Sequence, residues 1–94
     1  MDIKEAFAAA LKQARAASGL TQEDFSNVSS RTYVSTLERG LKNPTLDKIE
    51  DLASVMGIHP LTLITLAYLI ERNDADPKEL FRVVTKELSQ LAAT

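Results

Sequence analysis

The 94-residue chain contains no cysteine and no tryptophan, and only 5% of its residues are aromatic. Without cysteine it can form neither a disulfide framework nor a thiolate metal site. It also lacks a run of about 18 apolar residues, the length that crosses a bilayer as one helix. Its first segment carries an early carboxylate and scattered charges, whereas a signal peptide has a basic start and an apolar run. We therefore expect a cytoplasmic protein.

Strand signals are missing as well, since there is no alternating β-branched run and no Asn-Gly or Asp-Gly hairpin turn. Helical signals recur six times, most of them with a capping residue at the start. With 45% apolar residues, the sequence predicts an all-α globular fold. The predicted helices run from about Ile3 to Ser18, Gln22 to Ser26 or Asn27, Ser30 to Arg39, Leu46 to Met56, Pro60 to Arg72, and Pro77 to the end.

The third predicted helix lies within the stretch SSRTYVSTLERG and has an unusual outward face. Val34, Leu37 and Glu38 share one side at 100° per residue. The opposite side carries short hydroxyls and two arginines in place of the usual Lys, Glu and Gln. Such side chains suit base edges, because arginine can pair with guanine O6 and N7, and Ser or Thr can bond several bases. Two short, closely spaced helices also indicate a helix-turn-helix.

The net charge of −2 argues mildly against non-specific binding to nucleic acid. The charges are unevenly distributed, however. Residues 1–44 contain six basic and five acidic side chains, and residues 45–94 contain five basic and eight acidic ones. Any site for a polyanion is therefore expected in the first half of the chain.

Three motifs resemble one known family when they are taken together. GLTQEDF, LERG followed by NPTLDKIEDLA, and MGI are similar to the Cro and phage-repressor helix-turn-helix family, also called XRE, over about Phe7 to Leu63. The resemblance implies a lambda-repressor-like five-helix domain, here with an extra C-terminal helix. It also implies a bacterial or phage transcriptional regulator, in the first instance a repressor. Such a protein binds double-stranded DNA as a homodimer on inverted repeats, with the third helix in the major groove.

The resemblance also implies roles for individual side chains. Each implied DNA contact could instead be a solvated surface residue, whereas the Arg15–Glu38 pair is expected to be structural in either case. At its angle on the helix, Tyr33 could also pack beside Phe25. The implied base-reading residues are Arg31, Thr32, Tyr33, Ser35 and Thr36, the implied phosphate contacts are Gln22, Arg39 and Lys42, and the implied structural ion pair joins Arg15 to Glu38.

One stretch departs from the family pattern. Between Thr21 and Gly40 the chain is shorter by about two residues than is usual for this helix-turn-helix. The residues NVSS stand where a longer helix end and a turn glycine would be. We therefore expect the second helix to be truncated, which would change how the third helix is presented.

The fifth and sixth predicted helices matter for partners. The fifth is apolar on nearly all of its faces, which is typical of a helix in the core or in a dimer interface. We expect residues 1–72 to form the DNA-binding domain, with its helix-turn-helix at about 21–40, and residues 73–94 to form a polar link and an amphipathic helix that can serve dimerisation. The candidate dimer residues are Leu63, Leu66, Leu69, Ile70, Phe81, Val84 and Leu88.

A rival interpretation keeps the fold without DNA binding. In it, the apolar surface of the last two helices binds a protein partner, as an antitoxin does. An enzyme is not expected, because no spacing marks a nucleophile or an acid–base pair. No cofactor or metal is expected either, and the lone His59, placed before Pro60, is interpreted as a helix cap or a surface residue.

Overall fold

The computed structural model describes residues 1–93, and in that part of the chain there are five α-helices, one short 3-10 helix and no strand. The all-α prediction is confirmed, and each of the six predicted segments is helical. The predicted extension of the last helix to Thr94 lies outside the described residues. The elements are α1 (Ile3–Ala17), the 3-10 helix (Gln22–Phe25), α2 (Arg31–Glu38), α3 (Leu46–Met56), α4 (Pro60–Arg72) and α5 (Lys78–Ala92).

Side chains just before the helices explain where several of them begin. Ser30 accepts a hydrogen bond from the backbone N–H of Tyr33 at 3.0 Å, which satisfies one of the free amides in the first turn of α2. His59 Nδ1 does the same for the N–H of Leu61 at 2.9 Å, at the start of α4. The histidine is therefore a helix cap, as predicted.

The core forms where α1 and α4 pack against each other and the shorter elements close over them. Phe25 of the 3-10 helix is fully buried in it, which anchors that short element despite its single turn. Leu63 is fully buried there too, so its prediction as a dimer contact is wrong. The residues with the largest fully buried side chains are Leu11, Phe25, Val34, Leu37, Leu52 and Leu63.

The last helix, α5, contributes no buried residue to this core. Its apolar stripe includes Phe81, Val84 and Leu88, which are 44%, 41% and 60% exposed. An amphipathic helix normally buries such a stripe against another element. The stripe on α5 is therefore incompletely covered within one chain.

The second predicted helix is truncated, as the shortened spacing predicts. It is a single 3-10 turn from Gln22 to Phe25, followed by a turn at 26–28 and a bend at Ser29. Backbone N–H groups of Val28 and Ser29 both donate to the carbonyl of Phe25, at 3.0 and 2.9 Å. The chain thus reaches α2 without a glycine, because this tight turn uses only ordinary negative φ angles.

Among the described residues, no single helix is both long and apolar enough to cross a membrane. Only α3 and α4 taken together meet those requirements, and they are bent by 103° with respect to each other.

Candidate nucleic-acid interface

The two sides of α2 differ as the sequence predicts. Val34 and Leu37 face the core with 0% and 2% of their surface exposed, while Arg31 and Thr32 are exposed to solvent. The exposed side continues onto the 3-10 helix, where the two elements form a shallow depression. That depression is lined by Gln22, Arg31, Thr32, Ser35 and Arg39. The structure therefore brings most of the predicted DNA contacts together on one surface.

A partly buried ion pair holds this surface to α1. Arg15 Nε donates to Glu38 Oε2 at 2.6 Å and Arg15 Nη2 donates to Glu38 Oε1 at 2.9 Å, a bidentate arrangement. Arg15 Nη1 also donates to the carbonyl of Leu20 at 3.0 Å. The hydrogen bonds that Arg15 donates to the Glu38 carboxylate raise the pKa of Arg15, against the opposing effect of burial. The Glu38 side chain is only 4% exposed, so this pairing is what allows a carboxylate on the inner side of α2.

Gln22 joins the same network, which the sequence did not indicate. Its Nε2 donates to Glu38 Oε1 at 3.1 Å. A primary amide has two N–H groups, so one of them remains for a second acceptor. Glu38 thus orients the Gln22 amide while leaving a donor for the phosphate contact that the family resemblance implies.

Arg31 has an acidic neighbour on the same surface. Its Nη1 lies 3.2 Å from Glu23 Oε1, and the two side chains are 68% and 70% exposed. An ion pair this exposed contributes little free energy, because water competes for both groups. Arg31 is therefore held only loosely and remains available to a base or a phosphate. No sequence pattern pairs Glu23 with Arg31, which lies eight residues further along the chain.

The hydroxyl of Thr36 is occupied within its own helix. Thr36 Oγ1 donates to the carbonyl of Thr32 at 2.7 Å, a back-bond that Ser and Thr often make in helices. Its proton is therefore not presented to a base, although the oxygen can still accept and the methyl group can pack. Of the predicted base-reading residues with an aliphatic hydroxyl, Thr32 and Ser35 line the depression and Thr36 does not.

Tyr33 occupies a different environment from the other predicted base readers. It is partly buried and packs against the core cluster that includes Phe25. The ammonium groups of Lys42 and Lys48 lie 5.9 and 5.2 Å from its ring centroid, within cation–π range. The structure therefore favours the packing role for Tyr33 over base reading. No sequence signal pointed to Lys48, which is 15 residues further along the chain.

The chain reverses direction after α2 at Gly40, whose φ of +72° favours glycine. A Cβ there would have room, since its nearest neighbours are 3.8 Å away, so the backbone angle alone explains the residue. The reversal puts Lys42 near Tyr33 and leaves both Lys42 and Arg39 exposed beside the outward face of α2. These are suitable positions for two phosphate contacts.

A second surface is apolar and lies between α4 and α5. Leu66 and Ile70 of α4 are half-buried, and Leu69 is buried at 9% exposure. Two shallow grooves on this face are lined by side chains from both helices, and Phe81 lines both grooves. Of the predicted dimer residues, those of α5 are the most accessible and Leu63 is inaccessible. The residues that line one groove or both include Leu61, Thr65, Leu66, Tyr68, Leu69, Phe81 and Val84.

Within residues 1–93, no three or more His, Asp or Glu side chains are grouped so as to hold a metal ion. Several acidic side chains instead cap helices or make ion pairs. Asp24, for example, accepts from the N–H of Thr21 at 2.7 Å at the start of the 3-10 helix.

Comparisons with known proteins agree with this geometry. The family model described as helix-turn-helix matches residues 11–63, more than half of the chain. An uncharacterised HTH-type transcriptional regulator, y4dJ of Sinorhizobium fredii, is 36% identical over 67 residues, which are 69% of this chain and 87% of that protein. The control protein C.BamHI of Bacillus amyloliquefaciens is 44% identical over 34 residues, 36% of this chain and 42% of that protein.

A solved structure is also similar. The crystal structure of a hypothetical transcription factor from Neisseria, NHTF, superimposes with a TM-score of 0.62 at 26% identity. The match covers 87% of this chain and 85% of that one. Family model, relatives and fold thus all point to transcriptional regulators that bind DNA. The chain belongs to the helix-turn-helix family of the Cro and phage-repressor type.

Proposed function

We propose that this protein is a transcriptional repressor that binds an inverted-repeat operator as a homodimer. In this proposal α2 lies in the major groove, where Arg31, Thr32 and Ser35 read base edges. Gln22, Arg39 and Lys42 bind the phosphates on either side of the groove. Thr36 contributes packing contacts and Tyr33 supports the helix from behind.

The observation that carries the proposal is the division of α2 into two faces. One face is fixed in the core by Val34 and Leu37 and by the Arg15–Glu38 pair. The other presents two arginines and short hydroxyls next to Gln22. A helix that recognises bases in the major groove needs this arrangement. The side chains that contact base edges must be short or forked, and they must project from a rigid support.

Dimerisation is supported by the apolar α4–α5 surface and by the charge of the chain. A protomer with net charge −2 and few phosphate contacts should bind one half-site weakly, since phosphate neutralisation supplies much of the affinity. Two protomers on half-sites about 34 Å apart combine their contacts. The exposed stripe of α5, together with the grooves beside α4, offers the surface for pairing them.

A selection from random-sequence duplex DNA tests the proposal. The purified protein at low salt should enrich an inverted repeat whose half-sites are separated by about one helical turn. Enrichment of a single unpaired half-site would support base reading and argue against the dimer. Recovery of unselected sequence at low salt would contradict the proposed function.

A second candidate follows from the same apolar surface. If α4 and α5 bind a different protein, the chain is an interaction module, as an antitoxin is. The observation that favours it is the incomplete burial of Phe81, Val84 and Leu88 in one chain. A monomer in solution that enriches no DNA sequence would favour this function over that of a repressor.

A further inference from the structure

The shortened turn before α2 has little regular structure of its own. The turn at 26–28 and the bend at Ser29 follow only one 3-10 turn, and Ser30 then starts α2. The hydroxyl of Ser29 is buried and has no hydrogen-bond partner among the described residues. Such a group costs free energy and gives the turn no hydrogen bond of its own. The turn does receive contacts from elsewhere in the chain.

Lys48 supplies those contacts from the first turn of α3. Its Nζ donates to the carbonyl of Val28 at 2.8 Å, and the same ammonium lies 5.2 Å from the centroid of the Tyr33 ring. The backbone N–H of Lys48 is itself capped by Thr45 Oγ1 at 3.1 Å, so α3 is a fixed base for the side chain. A hydrogen bond from a charged donor is stronger than one between neutral groups, and this one spans 20 residues of sequence.

We infer that Lys48 is a positioning residue for DNA recognition, and that it sets the angle of α2 through the turn and Tyr33. One ammonium group ties together the turn at Val28, the ring on α2 and the start of α3. The N-terminal end of α2 carries Arg31 and Thr32, so its direction decides whether they meet base edges. This inference rests on the proposed DNA binding, because the angle of α2 matters for function only if α2 enters the groove.

The contrast with Lys42 separates positioning from charge. Lys42 lies 5.9 Å from the same ring and is exposed, and its proposed partner is a phosphate. The ammonium of Lys48 is instead engaged by a backbone carbonyl. Replacing either lysine by methionine removes one positive charge and keeps a long apolar stem. Only Lys48→Met removes the bond to the turn.

The experiment measures dissociation constants of Lys48→Met, Lys48→Arg and Lys42→Met for a selected operator and for a scrambled duplex, over a range of salt. Lys48→Met should weaken operator binding by about tenfold, as expected when a charged hydrogen bond no longer favours the competent orientation of α2. Binding to the scrambled duplex and the salt dependence should stay near those of the wild type. Lys48→Arg should recover most of the operator affinity. Lys42→Met should weaken both duplexes and flatten the salt dependence.

Amide hydrogen exchange on the free proteins provides a readout without DNA. Lys48→Met should speed exchange at the amides of Ser29 and Tyr33, while Lys42→Met should leave them unchanged. Equal losses on operator and scrambled duplex in Lys48→Met, with a reduced salt slope, would make Lys48 a phosphate contact and overturn the inference. Unchanged exchange at the turn would overturn it as well. A wild type that shows no preference for any duplex would contradict the proposed function, while the exchange result would still decide the role of Lys48 in the turn.

Discussion

Arg15 and Glu38 show how one pair of residues serves both the fold and the surface. Glu38 lies on the inner side of α2, where its carboxylate accepts from the Arg15 guanidinium and from Gln22 Nε2. A buried carboxylate without these donors would be strongly destabilising. Because Gln22 is also a proposed phosphate contact, the pair links the stability of the core to the geometry of the DNA-binding surface.

Removing Arg15 should therefore destabilise the protein much more than removing an exposed arginine. We expect Arg15→Ala to lower the free energy of unfolding by about 3 kcal/mol, because it leaves Glu38 buried without its partner. Arg82 provides the matched control, since it pairs with Glu79 at 2.7 Å where both side chains are largely exposed. Arg82→Ala should give no measurable change in urea denaturation. Equal effects of the two substitutions would refute the structural role of the Arg15–Glu38 pair.

Lys42 should act through charge alone. We expect Lys42→Ala to weaken binding to all DNA sequences alike and to reduce the slope of log affinity against log salt by about 1, because one phosphate contact is lost. Lys86 on α5 serves as the control, and Lys86→Ala should leave that slope unchanged. A sequence-dependent loss in Lys42→Ala would show that this residue contacts a base instead.

At the scale of elements, the two serines before α2 have opposite effects on the stability of the fold. Ser30 caps the helix by accepting from the N–H of Tyr33, whereas the neighbouring Ser29 hydroxyl is buried without a partner. Capping satisfies a backbone donor that would otherwise lack an acceptor. An unpaired buried hydroxyl has the opposite effect on stability. Two adjacent residues of the same type should thus respond differently to the same change.

Alanine substitution at the two positions tests this difference. Ser30→Ala should lower the free energy of unfolding by about 1 kcal/mol, the usual effect of losing an N-cap. Ser29→Ala should leave it unchanged or raise it, because no hydrogen bond is lost and a polar group leaves the interior. Urea denaturation monitored by circular dichroism measures both. A similar loss for the two variants would show that the Ser29 hydroxyl has a partner in solution.

Much of the element pattern could be predicted from sequence because its causes are local. The caps at Ser30 and Thr45 precede their helices directly, and the glycine at 57 ends α3 with a φ of +69°. The division of α2 into a core-facing side and an exposed side could be predicted from the 3.6-residue period of a helix. These features depend on neighbours within a few residues of each other.

The features that escaped prediction depend on distant partners. The Gln22–Glu38 and Lys48–Val28 hydrogen bonds span 16 and 20 residues, and no local pattern indicates them. Leu63 was misplaced for another reason. α4 is apolar on nearly every side, so the periodicity does not distinguish the face that enters the core from one that meets a partner. The packing of α4 against α1 determines which face of α4 enters the core.

At the scale of the whole molecule, the proposed DNA-binding surface on α2 is distinct from the apolar surface between α4 and α5. The described part measures 43 × 26 × 23 Å, and α5 adds an amphipathic helix with no buried residue. Exposed apolar stripes of this kind on a small protein usually mark a binding surface. The proposed dimer gives that stripe a partner and joins two copies of α2 for an inverted repeat.

A charge on the α5 stripe should disrupt the dimer. We expect Leu88→Glu to shift the mass in solution, measured by light scattering, from that of two chains to that of one, because a carboxylate would have to be buried in the apolar interface. Leu41 is the matched control, since Leu88 and Leu41 are 60% and 58% exposed and Leu41 lies next to α2. Leu41→Glu should leave the mass unchanged. A wild-type protein with the mass of one chain would contradict the proposed dimer directly.

Parallel selections from random duplex DNA with the wild type and with Arg31→Ala show whether the outward face of α2 reads DNA sequence. The wild type should select an inverted repeat. Arg31→Ala should select the same repeat with the preference relaxed at one symmetric pair of positions, and its affinity for the wild-type repeat should be lower by about 1–3 kcal/mol. If Arg31→Ala selects the same sequence with the same affinity, Arg31 does not read a base.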